Sequence, residues 1–207
     1  MAELAGKSCV DFAGALASEA PVPGGGGAAA LAGVLASALG AMAARLSLPR
    51  KKTDEERDAL AADIQIADAL RQQLLALIDL DAAGFAPLAK AYSIPKDEPK
   101  RKETLRAASL TACEAPMEML RRCSECAELL AELEGRVSPL LLSDVGCAAA
   151  LCRGAMEAAA LNVWVNTRSL PGDPASDALN AETESLLAAA RPLLEGIGSR
   201  IGRKLRG

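Results

Sequence analysis

The segment from Ser18 to Ala30 places Pro21, Pro23 and four consecutive glycines, Gly24 to Gly27, directly before an Ala-rich stretch of helical character. The prolines bias the backbone towards extended conformations and cannot continue a preceding helix. The glycines permit positive φ and let the backbone approach a ligand or another chain without interference from a Cβ. A helix that begins here leaves its first N–H groups unpaired and pointing into the loop, a seat for a carboxylate or carbonyl oxygen. Four ordered glycines carry a large entropic cost. A ligand or interface loop accounts for that cost better than a plain flexible turn does.

The rest of the chain supports helices. Its 207 residues suit one domain, read here as 1–207, and the hydrophobic fraction of 51% is carried by Ala and Leu with aromatics at only 2%. Strand-favouring residues are scarce, so the composition points to an all-α fold. Ser8-Cys-Val-Asp11 resembles a capping box that opens a short helix ending near Ser18. Ala28 to about Leu48 reads as a helix on which Ala29, Gly33, Ser37, Gly40 and Ala44 recur every three or four residues, letting another helix approach closely. Thr53-Asp-Glu-Glu56 starts the next helix, which runs towards Tyr92 and is expected to kink or divide at Gly84 and Pro87. Further helices are expected over 101–133, bent near Pro116, over 140–168, and from Pro174 onward behind an Asp173 cap. The expectation is a helical bundle of about five or six helices.

Charge and missing residue types narrow the chemistry. A net charge of −4 argues against nucleic acid as the principal partner. The uncharged run Ala28 to Ala44 is short for a membrane span and rich in Ala and Gly, so a buried helix is the expected reading. No basic leader precedes an apolar core at the N-terminus, and a cytoplasmic location is expected. The six cysteines are dispersed, and Cys123-Ser-Glu-Cys126 has no second pair at zinc-site spacing, so reduced cysteines and no metal are expected. Histidine is absent altogether. General acid–base chemistry near neutral pH must therefore fall to a carboxylate, Lys, Cys, Tyr or a cofactor itself.

Several residues are candidates for that work. Asp144, with Ser143, interrupts an apolar stretch, and a carboxylate there is costly to desolvate unless it is paired or faces a cationic ligand. A helix cap at Ser143 or Asp144 is the plain structural alternative. Asp79 and Asp81, two residues apart, do not share a helix face, and Asp81 stands four residues before Phe85. Asn162 and Asn166 are four apart and can present their amides on one face, suited to the edge of a heteroaromatic ring. Packing hydrogen bonds would explain them equally well. Lys51, with Arg45, Arg50 and Lys52, either complements a helix C-terminus or receives an anionic substrate tail.

Taken in order, Ser18-x-x-Pro-x-Pro-Gly-Gly-Gly-Gly-Ala-Ala-Ala30, Asp81-x-x-x-Phe85, Ala91-Tyr-Ser-Ile-Pro-Lys96, Ser143-Asp-Val-Gly146 and Ala159-Ala-Leu-Asn-Val-x-Val-Asn166 resemble the cyclodeaminase/cyclohydrolase family of tetrahydrofolate one-carbon enzymes. The resemblance implies an all-α homodimer that takes a reduced folate near the glycine loop. It implies either hydrolysis of methenyltetrahydrofolate to formyltetrahydrofolate or deamination of formiminotetrahydrofolate with ring closure. Relatives fused to a formiminotransferase domain are longer than this sequence. Where relatives read Gly-Lys-Lys-Lys-Tyr, this chain has Pro49-Arg-Lys-Lys-Thr53, and Val137-Ser-Pro-Leu140 replaces a Gly-Asn-x-Asn pattern.

On this basis the cyclohydrolase is the leading expectation, the cyclodeaminase the alternative, and a non-catalytic helical dimer the third. Asp144 is the first candidate for the catalytic carboxylate and Asp81 the second. Ser18, Pro23, Gly24, Gly25, Gly26, Gly27, Ser143, Asn162, Asn166 and Lys51 are the expected substrate-binding residues. The folate derivative enters as substrate, with no metal.

Overall fold

The computed structural model describes residues 3–207, and among these the chain forms six α-helices and no strand. They are α1 (Cys9–Leu16), α2 (Gly25–Ser47), α3 (Asp54–Tyr92), α4 (Arg101–Arg136), α5 (Leu142–Thr167) and α6 (Pro174–Arg206). Single turns of 3-10 helix at Leu48–Arg50 and Pro139–Leu141 follow α2 and precede α5.

The helix starts follow local chemistry. Ser8 Oγ accepts from the Asp11 N–H at 3.1 Å, and Thr53 and Glu56 form a reciprocal capping box. Asp173 Oδ1 accepts from the N–H groups of Ala175 (2.9 Å) and Ser176 (3.3 Å), with Pro174 at the first helical position. Of the outcomes expected at Pro87 and Pro116, division is absent: α3 and α4 each run on through the proline.

Helix α2 is the centre of the bundle and packs against α3, α4 and α5, while α6 lies outside on α4 and α5. The small-residue stripe explains this. Ala29, Gly33, Ser37, Gly40 and Ala44 are all buried, facing neighbours in the same chain. A Cβ on Gly33 would stand 3.0 Å from Cys123 Sγ and 3.2 Å from both Leu74 methyls. On Gly40 it would stand 3.3 Å from Leu130 and Leu133. Large residues fill the space that α2 vacates, among them Leu60, Leu74, Ile78, Leu120, Leu130 and Met156. A different face of α2 leaves Leu35, Met42 and Leu46 exposed, and α5 leaves Leu161 and Val165 exposed. By length and composition, Gly25–Arg50 and Pro139–Thr167 could each cross a membrane; in this fold both are packing elements.

Helices α2 and α5 run antiparallel. At one end a Cβ on Gly25 would lie 3.2 Å from the Asn162 amide. At the other, the Ser138 N–H donates to Ser47 Oγ at 2.8 Å. This arrangement decides which candidate residues meet.

Candidate active site

A pocket of about 150 Å³ opens where α2 begins and α5 ends, lined by Pro21, Val22, Gly24, Gly25, Gly26, Asp81, Phe85, Ala112, Asn162, Val165 and Asn166. Four separated stretches of sequence converge here: the glycine turn, the Asp81–Phe85 step of α3, the middle of α4, and the last turns of α5. Asp81 is the one titratable residue among the lining.

The glycines are needed for proximity, not for left-handed backbone. None of Gly24 to Gly27 has a positive φ, and Gly25, Gly26 and Gly27 already form the first turn of α2. A Cβ on Gly26 would overlap the Asp81 carboxylate. The expectation that the first N–H groups of α2 await a ligand oxygen is thus corrected in part. The absence of side chains lets the Asp81 carboxylate come right up to the helix start, where the Gly27 N–H favours its anion.

Burial pushes the Asp81 carboxyl up to about 6, and the Gly27 N–H pulls against that rise by favouring the anion. No cation compensates the burial. Asp63 shows the contrast, since it is also buried but accepts from Arg136 Nη1 at 2.8 and 3.0 Å. A half-buried acid without a counter-ion, set in a pocket, is where a general base near neutral pH is built.

Both asparagines point the same way chemically. Asn162 Nδ2 donates to the Ala158 carbonyl at 2.8 Å, and Asn166 Nδ2 donates to the Ala112 carbonyl at 3.1 Å. The packing role foreseen for them is therefore real. It leaves each amide oxygen without a hydrogen-bond partner among the described residues. With Asp81, the pocket offers three side-chain acceptor groups and no side-chain cation, together with the first N–H groups of α2 at Gly25 and Gly26. The uncompensated carboxylate suits a ligand that carries positive charge.

Other expected residues lie elsewhere. Eighteen residues of α5 separate Asp144 from Asn162, about 27 Å at the α-helical rise. Ser143 and Asp144 occupy the first turn of α5, where the acid complements the dipole. Lys51 follows the far end of α2, about 33 Å from the glycine turn by the same rise, and lies 3.8 Å from Glu56. Neither Asp144, Ser143 nor Lys51 reaches the pocket of its own chain, because antiparallel α2 and α5 put them at the opposite end. Ser18 Oγ donates to the Ala15 carbonyl at 2.7 Å and closes the turn after α1, outside the pocket lining. Pro23 is buried behind the glycine turn, packing near Gly27 and outside the lining.

Val22 and Ala112 line the pocket without having been singled out, and nothing in their local sequence marks either, while Pro21 and Val165 stand within motifs already noted. A larger groove of about 1100 Å³ lies between the α3–α4 and α5–α6 connections, with Tyr92 and Lys96 in its wall. Its cations and acids balance, and it contains neither Asp81 nor the asparagines. The smaller pocket is the one that holds an acid without a counter-ion. All six cysteines are free thiols, and burial pushes Cys113 up to about 11. Among the described residues no cluster of three or more Cys, Asp or Glu side chains is placed to hold a metal ion.

Comparison with known proteins gives a consistent picture. The family model described as formiminotransferase-cyclodeaminase matches residues 8–185. A methenyltetrahydrofolate cyclohydrolase of Methylorubrum extorquens is 33% identical over 98% of this chain and 100% of its own length. The formimidoyltransferase-cyclodeaminase of Mus musculus is 27% identical over 87% of this chain, which matches 34% of that longer protein. The crystal structure of formiminotetrahydrofolate cyclodeaminase from Thermotoga maritima superposes with a TM-score of 0.84 at 26% identity, covering 99% of this chain and 98% of that one.

Proposed function

Because the chain belongs to the formiminotransferase-cyclodeaminase family, we propose that it is a methenyltetrahydrofolate cyclohydrolase with Asp81 as its general base. The observation that carries this reading is the pocket's one carboxyl, raised to about 6 by burial with no counter-ion, beside two unpartnered amide oxygens. The substrate carries a positive charge delocalised over the carbon that bridges two folate nitrogens. The ionised Asp81 favours that cation and takes a proton from the water that adds to the bridging carbon. The resulting carbinolamine collapses to the formyl group as one C–N bond breaks, with the hydroxyl proton transferred to the released nitrogen. One proton leaves through Asp81 to solvent, which balances the reaction. Asn162 and Asn166 orient the ring or the water through their amide oxygens.

The Ser143–Asp144 end and Lys51 enter this reading through a second copy of the chain. The pocket of about 150 Å³ is small for a whole folate, since sites for ligands of that size generally enclose about 300–1,000 Å³. Uncovered apolar residues run along α2 from Leu35 to Leu46. A two-fold axis across that face would bring the Asp144 end of one protomer to the glycine turn of its partner. We therefore propose a homodimer in which Asp144 completes the opposite protomer's site.

Deamination of formiminotetrahydrofolate is the second reading, favoured by the likeness to the Thermotoga maritima structure. In it the protonated Asp81 would supply the proton to departing ammonia. A paired assay separates the two. Loss of methenyltetrahydrofolate absorbance without ammonia release from the formimino substrate is expected, and ammonia release with no hydrolysis would reverse the assignment.

A further inference from the structure

Asp79 precedes Asp81 by two residues on α3, which sets the two carboxylates about 200° apart around the helix. Asp79 is therefore turned away from the pocket. Its Oδ1 accepts from the Leu4 N–H at 2.6 Å, and its Oδ2 accepts from the Ala5 N–H at 3.4 Å. Those two residues begin the stretch of chain that ends at the glycine turn.

Leu4 itself packs into the core, and beyond it the stretch is thinly attached: from Ala5 to Val22, Phe12 is the one buried residue, with Ala5 and Val22 partly buried against the core. Its ring lies under the start of α2, where a Cβ on Gly27 would meet Phe12 Cζ at 3.8 Å and Pro23 Cβ at 3.3 Å. Pro21 and Val22 close the stretch as one wall of the pocket. The chain thus leaves one flank of α3 at Asp79, carries Phe12 beneath Gly27, and arrives on the other flank facing Asp81. The short bond from the Leu4 N–H to a carboxylate, backed by the longer one from Ala5, anchors the start of this segment beside the buried Leu4 side chain.

We propose that Asp79 is a positioning residue for the active site: it tethers the start of residues 4–23 and so holds the Pro21–Val22 wall and the glycine turn against Asp81. Its link to catalysis rests on the folate reading above, but the tether and its effect on Asp81 are measurable without any ligand.

The test uses the full-length protein with Asp79→Asn and Asp79→Ala. Asparagine keeps one acceptor oxygen for the Leu4 N–H, whereas alanine keeps none. Both remove the same negative charge near Asp81. Two quantities are read on the ligand-free protein: amide hydrogen exchange across residues 3–23, and the titration of the Asp81 carboxyl by NMR. With Asp79→Ala, exchange in that segment is expected to rise by about tenfold or more while α4 to α6 stay protected. The Asp81 titration is expected to fall from about 6 towards the ordinary 3.8 as water reaches the group. Asp79→Asn should lie close to the parent in both. Unchanged exchange in Asp79→Ala would remove the tether. Faster exchange with an unmoved Asp81 titration, or equal titration shifts in the two variants, would reduce Asp79 to a structural contact or a simple charge. A parent protein that turns over neither folate would overturn the functional reading alone, because both measurements stand without substrate.

Discussion

Gly26 and Asp81 share one space: the Asp81 carboxylate occupies the volume that a Cβ on Gly26 would fill. The glycine run is therefore read most directly as room made for a side chain on another helix. The pocket follows from that contact, since Asp81 is held against the start of α2 and away from cations.

Gly26→Ala should displace the carboxylate and cut turnover by about a hundredfold, within the range typical for losing a placed acid or base. Gly25→Ala, whose methyl would meet only the movable Asn162 amide at 3.2 Å, should cost less. Steady-state kinetics on both variants, with circular dichroism to confirm intact helices, checks the order. Equal activity in Gly26→Ala and the parent would end this account of the loop.

Turnover should rise with pH through about 6, as the working form of Asp81 is the carboxylate. Stability should move the opposite way. The folded-state value near 6 lies above the ordinary 3.8, so the native state binds the proton more tightly and loses stability as pH climbs from about 4 to about 6. A shift of about two units corresponds to about 3 kcal/mol at most. Asp81→Asn should accordingly raise Tm above pH 6, match the parent below pH 4, and be nearly inactive. A variant that is less stable than the parent at pH 8 would contradict the desolvation argument.

Asp81→Asn and Asp144→Asn should complement one another if each site draws one acid from each protomer. Random re-pairing of equal amounts gives half mixed dimers with one intact site each, and thus about a quarter of parental activity. Unfolding and refolding the mixture, then assaying it against either variant alone, measures this. No recovery would confine Asp144 to its place in the first turn of α5.

Gly33→Val should destabilise the protein by about 1–3 kcal/mol through overpacking, since even a Cβ there stands 3.0 Å from Cys123 Sγ and 3.2 Å from Leu74. Chemical denaturation reads this out. An unchanged midpoint would mean that the α2–α3–α4 contact has slack that its distances do not suggest.

Periodicity and capping chemistry made the helices legible, because Ser8, Thr53 and Asp173 cap helices where their local sequence said they would. Pro87 and Pro116 end neither helix, since packing along α3 and α4 outweighs the local penalty of a proline. The site was half legible. Asp81, Asn162, Asn166 and the glycines were recognisable as residue types, and their convergence agrees with their order in the family pattern. Asp144 ranked above Asp81 because its apolar neighbours in sequence suggested burial. Spacing along the chain does not reveal that antiparallel α2 and α5 send those two acids to opposite ends. Asp79 was invisible as a tether, because its partners are backbone groups 75 and 74 residues away.

The start of α2 has a consequence beyond room for a carboxylate. Gly24 stands at the N-cap position with no side chain to offer, and the nearest carboxylate to this helix start is Asp81 on α3, which fills the space of a Gly26 Cβ. The negative charge that would ordinarily come from a capping residue is supplied here from another helix. The ionised carboxylate and the positive end of α2 therefore favour one another, and the protonated form forgoes that attraction in exchange for relief from burial. The start of one helix and the charge on another are set by the same short distance.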